Sequence, residues 1–227
     1  LCGLPGGFAA DKQAEVVGNP VRATLQPVDR EALNQLSDFS VERPLRVLAL
    51  GGSLGAAPLN QLLPAVFHLL VEQGLSQSVA LWQQCGERNR TDADAAWQNS
   101  LFADRRCDDF IEDMTAAYRW ADLVIARAGA LTISELTATG TASLLIPLPH
   151  AIDDHQTKNA RVLADLGAAL LLPQIDASPA QVAQLLMKWV AAPATLLAMS
   201  KAACQARAAE ATHRVAEVLT GVVRADG

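Results

Sequence analysis

Leu45-Arg46-Val47-Leu48-Ala49-Leu50 runs directly into Gly51-Gly52-Ser53-Leu54-Gly55-Ala56. Six mostly apolar residues have the length of a strand, and the near absence of polar alternation marks a strand covered on both faces. The glycines after it let the backbone turn sharply, and a helical pattern over 56–73 begins where they end. Strand, glycine turn and helix form the opening of a βα unit. The same order recurs downstream. Strand-like runs occupy 78–82, 122–126, 142–146 and 168–172, with a weaker one at 107–110. Helical patterns fill 114–121, 131–139, 155–166 and 179–190 between and after them. Such alternation implies a parallel sheet with right-handed crossovers. The predicted fold class is α/β, with a doubly wound parallel sheet.

The two ends differ from this core. Gly18-Asn19-Pro20-Val21 has turn chemistry, each residue type suiting a non-helical corner. The polar stretch 26–42 reads as a helix and loop, and the Ala-rich 195–223 as a long helix with a break near Ala209. The opening Leu1-Cys2-Gly3-Leu4-Pro5-Gly6-Gly7 lacks the basic flank of a signal peptide and reads as the middle of a longer chain. The expected organisation is therefore residues 1–22 as the tail of a preceding domain plus a hinge, 23–205 as the ligand-binding domain, and 206–227 as a C-terminal helix packing back towards the preceding domain.

Composition narrows the function classes. The chain has 227 residues, 51% of them hydrophobic, which is enough for one sizeable core. A formal net charge of -6 gives little attraction for a polyphosphate backbone, so nucleic acid is not the expected partner. Cys2, Cys85, Cys107 and Cys204 are scattered, without the short repeated spacing of a disulfide framework or zinc site. Reduced structural thiols, and with them a cytoplasmic location, are expected. No apolar run reaches the roughly 20 residues that span a bilayer.

Four blocks carry candidate chemistry. In Gly51-Gly52-Ser53-Leu54-Gly55-Ala56 the free amides of a helix start favour an anion, and the Ser53 hydroxyl can donate to a phosphate oxygen. A plain strand-to-helix turn is the competing reading. Arg127-Ala128-Gly129-Ala130-Leu131-Thr132-Ile133-Ser134-Glu135 is a second glycine turn at a helix start, aimed at the same end of the sheet. Two roles are open to Glu135: the far end of a capping box with Thr132, or acceptor for two neighbouring ribose hydroxyls. Local sequence favours the cap. Arg127 either balances phosphate charge or pairs with a nearby Asp.

The third block, from Pro147 to Asn159, clusters polar side chains beyond a buried strand, with Gln156 and Asn159 three apart so that both can face one sugar. His150 and His155 are five apart, the wrong spacing for a metal pair on one helical face. In Phe110-Ile111-Glu112-Asp113-Met114 the acids are read as favouring the next helix start, while the backbone near Ile111 is placed to read a base edge. Trp82, Trp97, Trp120 and Trp189 are too dispersed for a stacking platform and read as packing residues.

Taken in order, Gly18-Asn19-Pro20-Val21-Arg22, the Gly51 and Phe110 blocks, Arg127 to Glu135 and His155-Gln156 resemble the MurG family of bacterial glycosyltransferases, from about Val16 to the C-terminus. The resemblance implies a GT-B fold, of which this chain is the C-terminal, Rossmann-like, donor-binding half. It implies transfer of N-acetylglucosamine from UDP-N-acetylglucosamine to lipid I, giving lipid II with inversion at the anomeric carbon, without metal or cofactor. Arg22 and Ser53 then contact the donor, and the backbone near Ile111 reads uracil. Ala130, Leu131 and Thr132 hold the diphosphate, with Ile133 and Ser134 in the same binding segment. Glu135 takes the ribose hydroxyls, Gln156 the sugar hydroxyls, and Arg127 with two helix starts opposes the charge on departing UDP. A preceding domain is expected to bind the lipid acceptor, meet the cytoplasmic face of the inner membrane and supply the catalytic base. The pattern departs at His155, where the family often has Gln. Alternatives are another GT-B transferase or an epimerase using a UDP-sugar, or a non-catalytic nucleotide-binding partner subunit.

Overall fold

Strand β1 (Leu45–Leu50) lies at the middle of a six-stranded parallel sheet in the order β3 (Arg105–Asp108), β2 (Val79–Gln84), β1, β4 (Leu123–Ala126), β5 (Ala142–Leu145), β6 (Ala169–Leu171). The computed structural model describes residues 2–4, 14–30, 38–52, 55–98, 100–149, 154–208 and 211–225, without the side chains of 221–225. In chain order, β1 is followed by α1 (Ala57–Glu72), β2 (Val79–Gln84), α2 (Arg90–Trp97), β3 (Arg105–Asp108), α3 (Met114–Trp120) and β4 (Leu123–Ala126). Then come α4 (Ala130–Thr139), β5 (Ala142–Leu145), α5 (His155–Ala164), β6 (Ala169–Leu171), α6 (Pro179–Ala191), α7 (Pro193–Gln205) and α8 (Ala211–Ala225). The expected α/β, doubly wound architecture is the one observed.

The apolar runs are continuous because the strands are buried on both sides. Leu45, Val47 and Ala49 of β1 join Leu123 and Ile125 of β4 in one core with α1 and α6. Leu48, Leu50, Val124 and Ala126 face the other way, into a second core with α3, α4 and α5. The period of two along a strand divides a single hydrophobic stretch between two layers. The fully buried Asp122 fixes the entry to β4: it accepts two bonds from the Arg43 guanidinium and one from the Arg46 backbone amide.

Several boundaries differ from those read in the sequence. The edge strand β3 covers Arg105–Asp108 instead of 107–110, because its first two residues are exposed arginines with no apolar signature. Helix α2 has no counterpart in the sequence reading: of its eight residues only Ala93 and Trp97, four apart, are buried. The Ala-rich end does break as read, with α7 ending at Gln205 and α8 beginning at Ala211. Within 26–42, the described residues 26–30 and 38–42 are not helical, and 31–37 lie outside the described residues. Among these, Arg30 is 2% exposed, a position that its polar context did not suggest. Its guanidinium donates to the carbonyls of Tyr118 and Ala121 at the end of α3, to those of Thr139 and Gly140 at the end of α4, and to the Thr141 hydroxyl. A buried cation is costly. Here the carbonyls at the ends of two helices, and the negative dipole ends they form, offset that cost, although burial still lowers the Arg30 pKa to about 10.

Trp82 and Trp120, separate in sequence, meet edge-to-face at 5.7 Å, and Trp97 and Trp189 are buried. The four cysteines are free thiols. Among the described residues, no single helix is long and apolar enough to cross a membrane.

Candidate functional site

The strand order reverses between β1 and β4, so the chain leaves these neighbours towards opposite faces and opens a crevice at their carboxyl ends. Open α/β sheets hold ligands at this switch point. Leu50 pairs with Ala126, which puts Gly51 and Arg127 side by side. The two glycine turns recognised in the sequence therefore share one edge of the sheet. The first is closed by a bond from the Gly55 amide to the Gly52 carbonyl, 2.9 Å. Gly55 has φ +73°, and a Cβ there would stand 2.2 Å from the Cys85 carbonyl oxygen, so the turn admits no side chain at that point. Ser53 and Leu54 lie outside the described residues.

Helix α4 starts from the second turn. Its N-cap, Gly129, offers no side-chain acceptor, and the first amide bonded back along the helix is that of Ile133, to the Gly129 carbonyl. The amides of Ala130, Leu131 and Thr132 precede it and form the exposed or half-exposed mouth of the helix. Such a start is a ready anion site. Ile133 is buried in the core. Ser134 donates to the Ala130 carbonyl and accepts from Asn19 Nδ2, which ties the N-terminal turn to α4.

Glu135 is half-buried one turn further on, and it is not part of a capping box. With the cap at Gly129, Thr132 is already the third residue of the helix, and the Glu135 carboxylate instead accepts a bond from the Tyr118 hydroxyl at 3.0 Å. Burial raises its pKa, while the Tyr118 bond and the nearby positive charge of Arg22 pull it back down. Arg22 is exposed and lines two cavities, one of 640 Å³ between the N-terminal segment, α4 and α5, the other of 840 Å³ beside the start of α3. Ile111 is 3% exposed and belongs to the core shared with α3, α4 and α5.

Arg127 has protein partners that the sequence did not suggest. Its guanidinium is buried and donates to the carbonyls of Ile146 and Pro147 and to the Gln174 side chain, locking together the segments after β4, β5 and β6. Gln156 and Asn159 do share one helical face, as their spacing implied, and both grip Ala128. Gln156 Oε1 accepts from the amides of Ala128 and Leu148, and Asn159 Nδ2 donates to the Ala128 carbonyl. These bonds set the level from which α4 rises. His155 opens α5 and is exposed, while His150 lies outside the described residues. Asp113 is the N-cap of α3, its carboxylate accepting from the Ala116 amide at 2.9 Å, in line with the helix-start role read for the acids.

Residues 46–215 match the model of the glycosyltransferase family 28 C-terminal domain. The chain belongs to this family. Among family 28 relatives, it is 41% identical over 226 residues to UDP-N-acetylglucosamine--N-acetylmuramyl-(pentapeptide) pyrophosphoryl-undecaprenol N-acetylglucosamine transferase of Shewanella denitrificans, covering 99% of this chain and 60% of that protein. It is 44% identical over 219 residues to the protein of the same name from Xanthomonas axonopodis pv. citri, covering 96% and 49%. The fold superposes on the crystal structure of Acinetobacter baumannii MurG with a TM-score of 0.76 and 34% identity, covering 96% of this chain and 58% of that one. The chain thus spans roughly half to three fifths of the relatives it matches. The observed sheet is that of the C-terminal half of the GT-B architecture.

In this family 28 domain, the site brings together Arg22, the start of α4, Glu135 and Gln156, and sets Ile111 at the carboxyl end of the sheet beyond β3. Helix-start amides that no described residue fills, a carboxylate and an exposed guanidinium can hold a diphosphate and a diol. Sequence reasoning missed Tyr118, although one signal was present: it is the chain's single tyrosine, in a helix that otherwise reads as packing.

Proposed function

We propose that this chain is the donor-binding part of an enzyme that transfers N-acetylglucosamine from UDP-N-acetylglucosamine to lipid I, forming lipid II with inversion. The observation that carries the proposal is the uncapped start of α4 at the switch point, one turn before a half-buried carboxylate. The names of the relatives supply the donor and acceptor. In this reading the amides of Ala130 to Thr132 hold the diphosphate, within a donor-contacting segment that continues through Ile133 and Ser134. Glu135 accepts from the ribose hydroxyls and the backbone at Ile111 meets uracil. Arg22 and Ser53 contact the donor. Gln156, its oxygen engaged by two backbone amides, presents its NH2 group to the sugar. Helix-start dipoles stabilise the charge that builds on UDP as the glycosidic bond breaks, which is worth most in the transition state.

Residues 1–22 act as tail and hinge of a preceding domain, 23–205 bind the donor, and 206–227 pack back towards that domain. The base and the acceptor site belong to that other domain, and the whole enzyme works as a peripheral protein on the cytoplasmic face of the inner membrane. Calorimetry with UDP and UDP-N-acetylglucosamine tests the donor assignment. This chain is expected to bind both, and Gln156→Ala is expected to weaken the sugar nucleotide more than UDP. No binding of either at millimolar concentration by the folded chain contradicts the proposal, and equal losses remove Gln156 from the sugar.

A further inference from the structure

Tyr118 is fully buried in the core between α3, α4 and the sheet, among Ile111, Val124 and Leu136. A phenol in such a place needs a hydrogen-bond partner. Its partner is not a carbonyl at hand on a neighbouring helix but one oxygen, Oε2, of Glu135, at 3.0 Å. Burial and the Glu135 carboxylate hold the Tyr118 pKa well above its ordinary value, so the hydroxyl keeps its proton and remains the donor. An ionised carboxylate has about four acceptor sites on two oxygens. One bond to Oε2 leaves most of that capacity unused while fixing the plane of the group. Among the described residues, the other charge acting on Glu135 is Arg22, from the N-terminal segment. The helices carrying the pair are held independently of it, because Arg30 binds the Tyr118 and Thr139 carbonyls at their far ends.

We propose that Tyr118 is a positioning residue for nucleotide recognition: it anchors Oε2 of Glu135 from inside the core and turns Oε1 outward to the ribose hydroxyls. This rests on the assignment of Glu135 to the ribose. The hydroxyl does not touch the ligand. It removes rotational freedom that Glu135 would otherwise lose on binding, and it favours the ionised carboxylate that the diol requires.

The test is calorimetry of UDP-N-acetylglucosamine, whose diphosphate has no titration near neutral pH, with the wild-type chain, Tyr118→Phe, Glu135→Ala and the double variant, from about pH 5 to 8. Tyr118→Phe keeps the ring in the core. It is expected to weaken binding about tenfold at neutral pH and to move the acid-side loss of affinity to higher pH, since Glu135 loses the donor that favoured its charge. In the Glu135→Ala background, the same change is expected to alter affinity less than about twofold. If Tyr118→Phe leaves affinity and pH profile unchanged while Glu135→Ala weakens binding, the positioning role is overturned and the ribose assignment stands. A loss that is independent of pH and persists without Glu135 also overturns it, as plain packing. Unchanged binding in Glu135→Ala removes the ribose assignment itself. Should Tyr118→Phe not fold, 3-fluorotyrosine labels Tyr118 alone in this chain. Its fluorine resonance is expected to shift when UDP-N-acetylglucosamine saturates the site, and an unmoved resonance overturns the proposal.

Discussion

Helices α3 and α4 pack on the same face of the sheet, and their far ends are held by the same arginine, yet they begin differently. At α3, Asp113 turns its carboxylate back onto the Ala116 amide and satisfies one of the free donors. At α4, Gly129 stands in the equivalent place and supplies nothing. The glycine is not demanded by backbone geometry, since its φ of -64° suits any residue, and among the described residues a Cβ there would meet nothing closer than Thr132 Oγ1 at 3.7 Å. A capping side chain fits, and the sequence does not use one. What distinguishes the two positions is location: α4 opens at the switch point beside β1, whereas α3 opens after the edge strand β3. A helix start that serves itself carries its own acceptor, and one left open is free for an anion from outside.

The comparison can be broken in several ways, and the largest effect concerns the ends that the two helices share. Arg30→Met is expected to cost about 3 to 5 kcal/mol of stability, because carbonyls at two helix ends lose their buried donor. Denaturant titration measures it, and a loss below about 1 kcal/mol would mean that the helices hold their places without the clamp. Next comes Gly129→Asp, which converts the start of α4 into a copy of α3. It is expected to weaken UDP binding at least about a hundredfold, through repulsion of the diphosphate, while leaving stability unchanged or slightly raised. Parallel thermal and calorimetric scans check the opposed signs.

Glu135→Ala is expected to weaken UDP about thirtyfold, the worth of charge-assisted bonds to a diol. The carboxylate also sets a pH dependence. Burial raises the Glu135 pKa in the folded chain, so affinity that requires the ionised form is lost on acidification sooner than for an exposed glutamate. For stability the sign is opposite. The folded chain holds this proton more tightly than the unfolded chain, so Glu135 contributes stability below the ordinary carboxylate pKa, lost as pH rises through the raised one. Glu135→Gln is therefore expected to match or exceed the wild type in melting temperature at neutral pH while losing UDP. The smallest change is Asp113→Ala, expected to cost about 1 kcal/mol and to alter UDP affinity less than about twofold.

The sheet was legible because its central strands are buried on both sides, so Leu45 to Leu50 and Leu123 to Ala126 announce themselves as apolar runs beside glycines. Strand β3 was displaced in the reading because Arg105 and Arg106 look like surface, which at a sheet edge they are. The positions of Ala130 and Glu135 at the switch point followed from order along the chain. Their partners did not. That Glu135 answers to Tyr118 and not to Thr132, and that Arg127 clamps the carbonyls after β5, depends on where α3 and β5 lie in space. Arg30 shows the same limit: a lone arginine in a polar stretch becomes a buried clamp only after two distant helix ends converge on it.

A crystal structure of this chain with UDP bears most directly on the open start of α4. The expected result places diphosphate oxygens within hydrogen-bonding distance of the amides of Ala130 to Thr132, and both ribose hydroxyls on Glu135. UDP bound in the cavity beside α3, with the α4 amides met only by water, would contradict it.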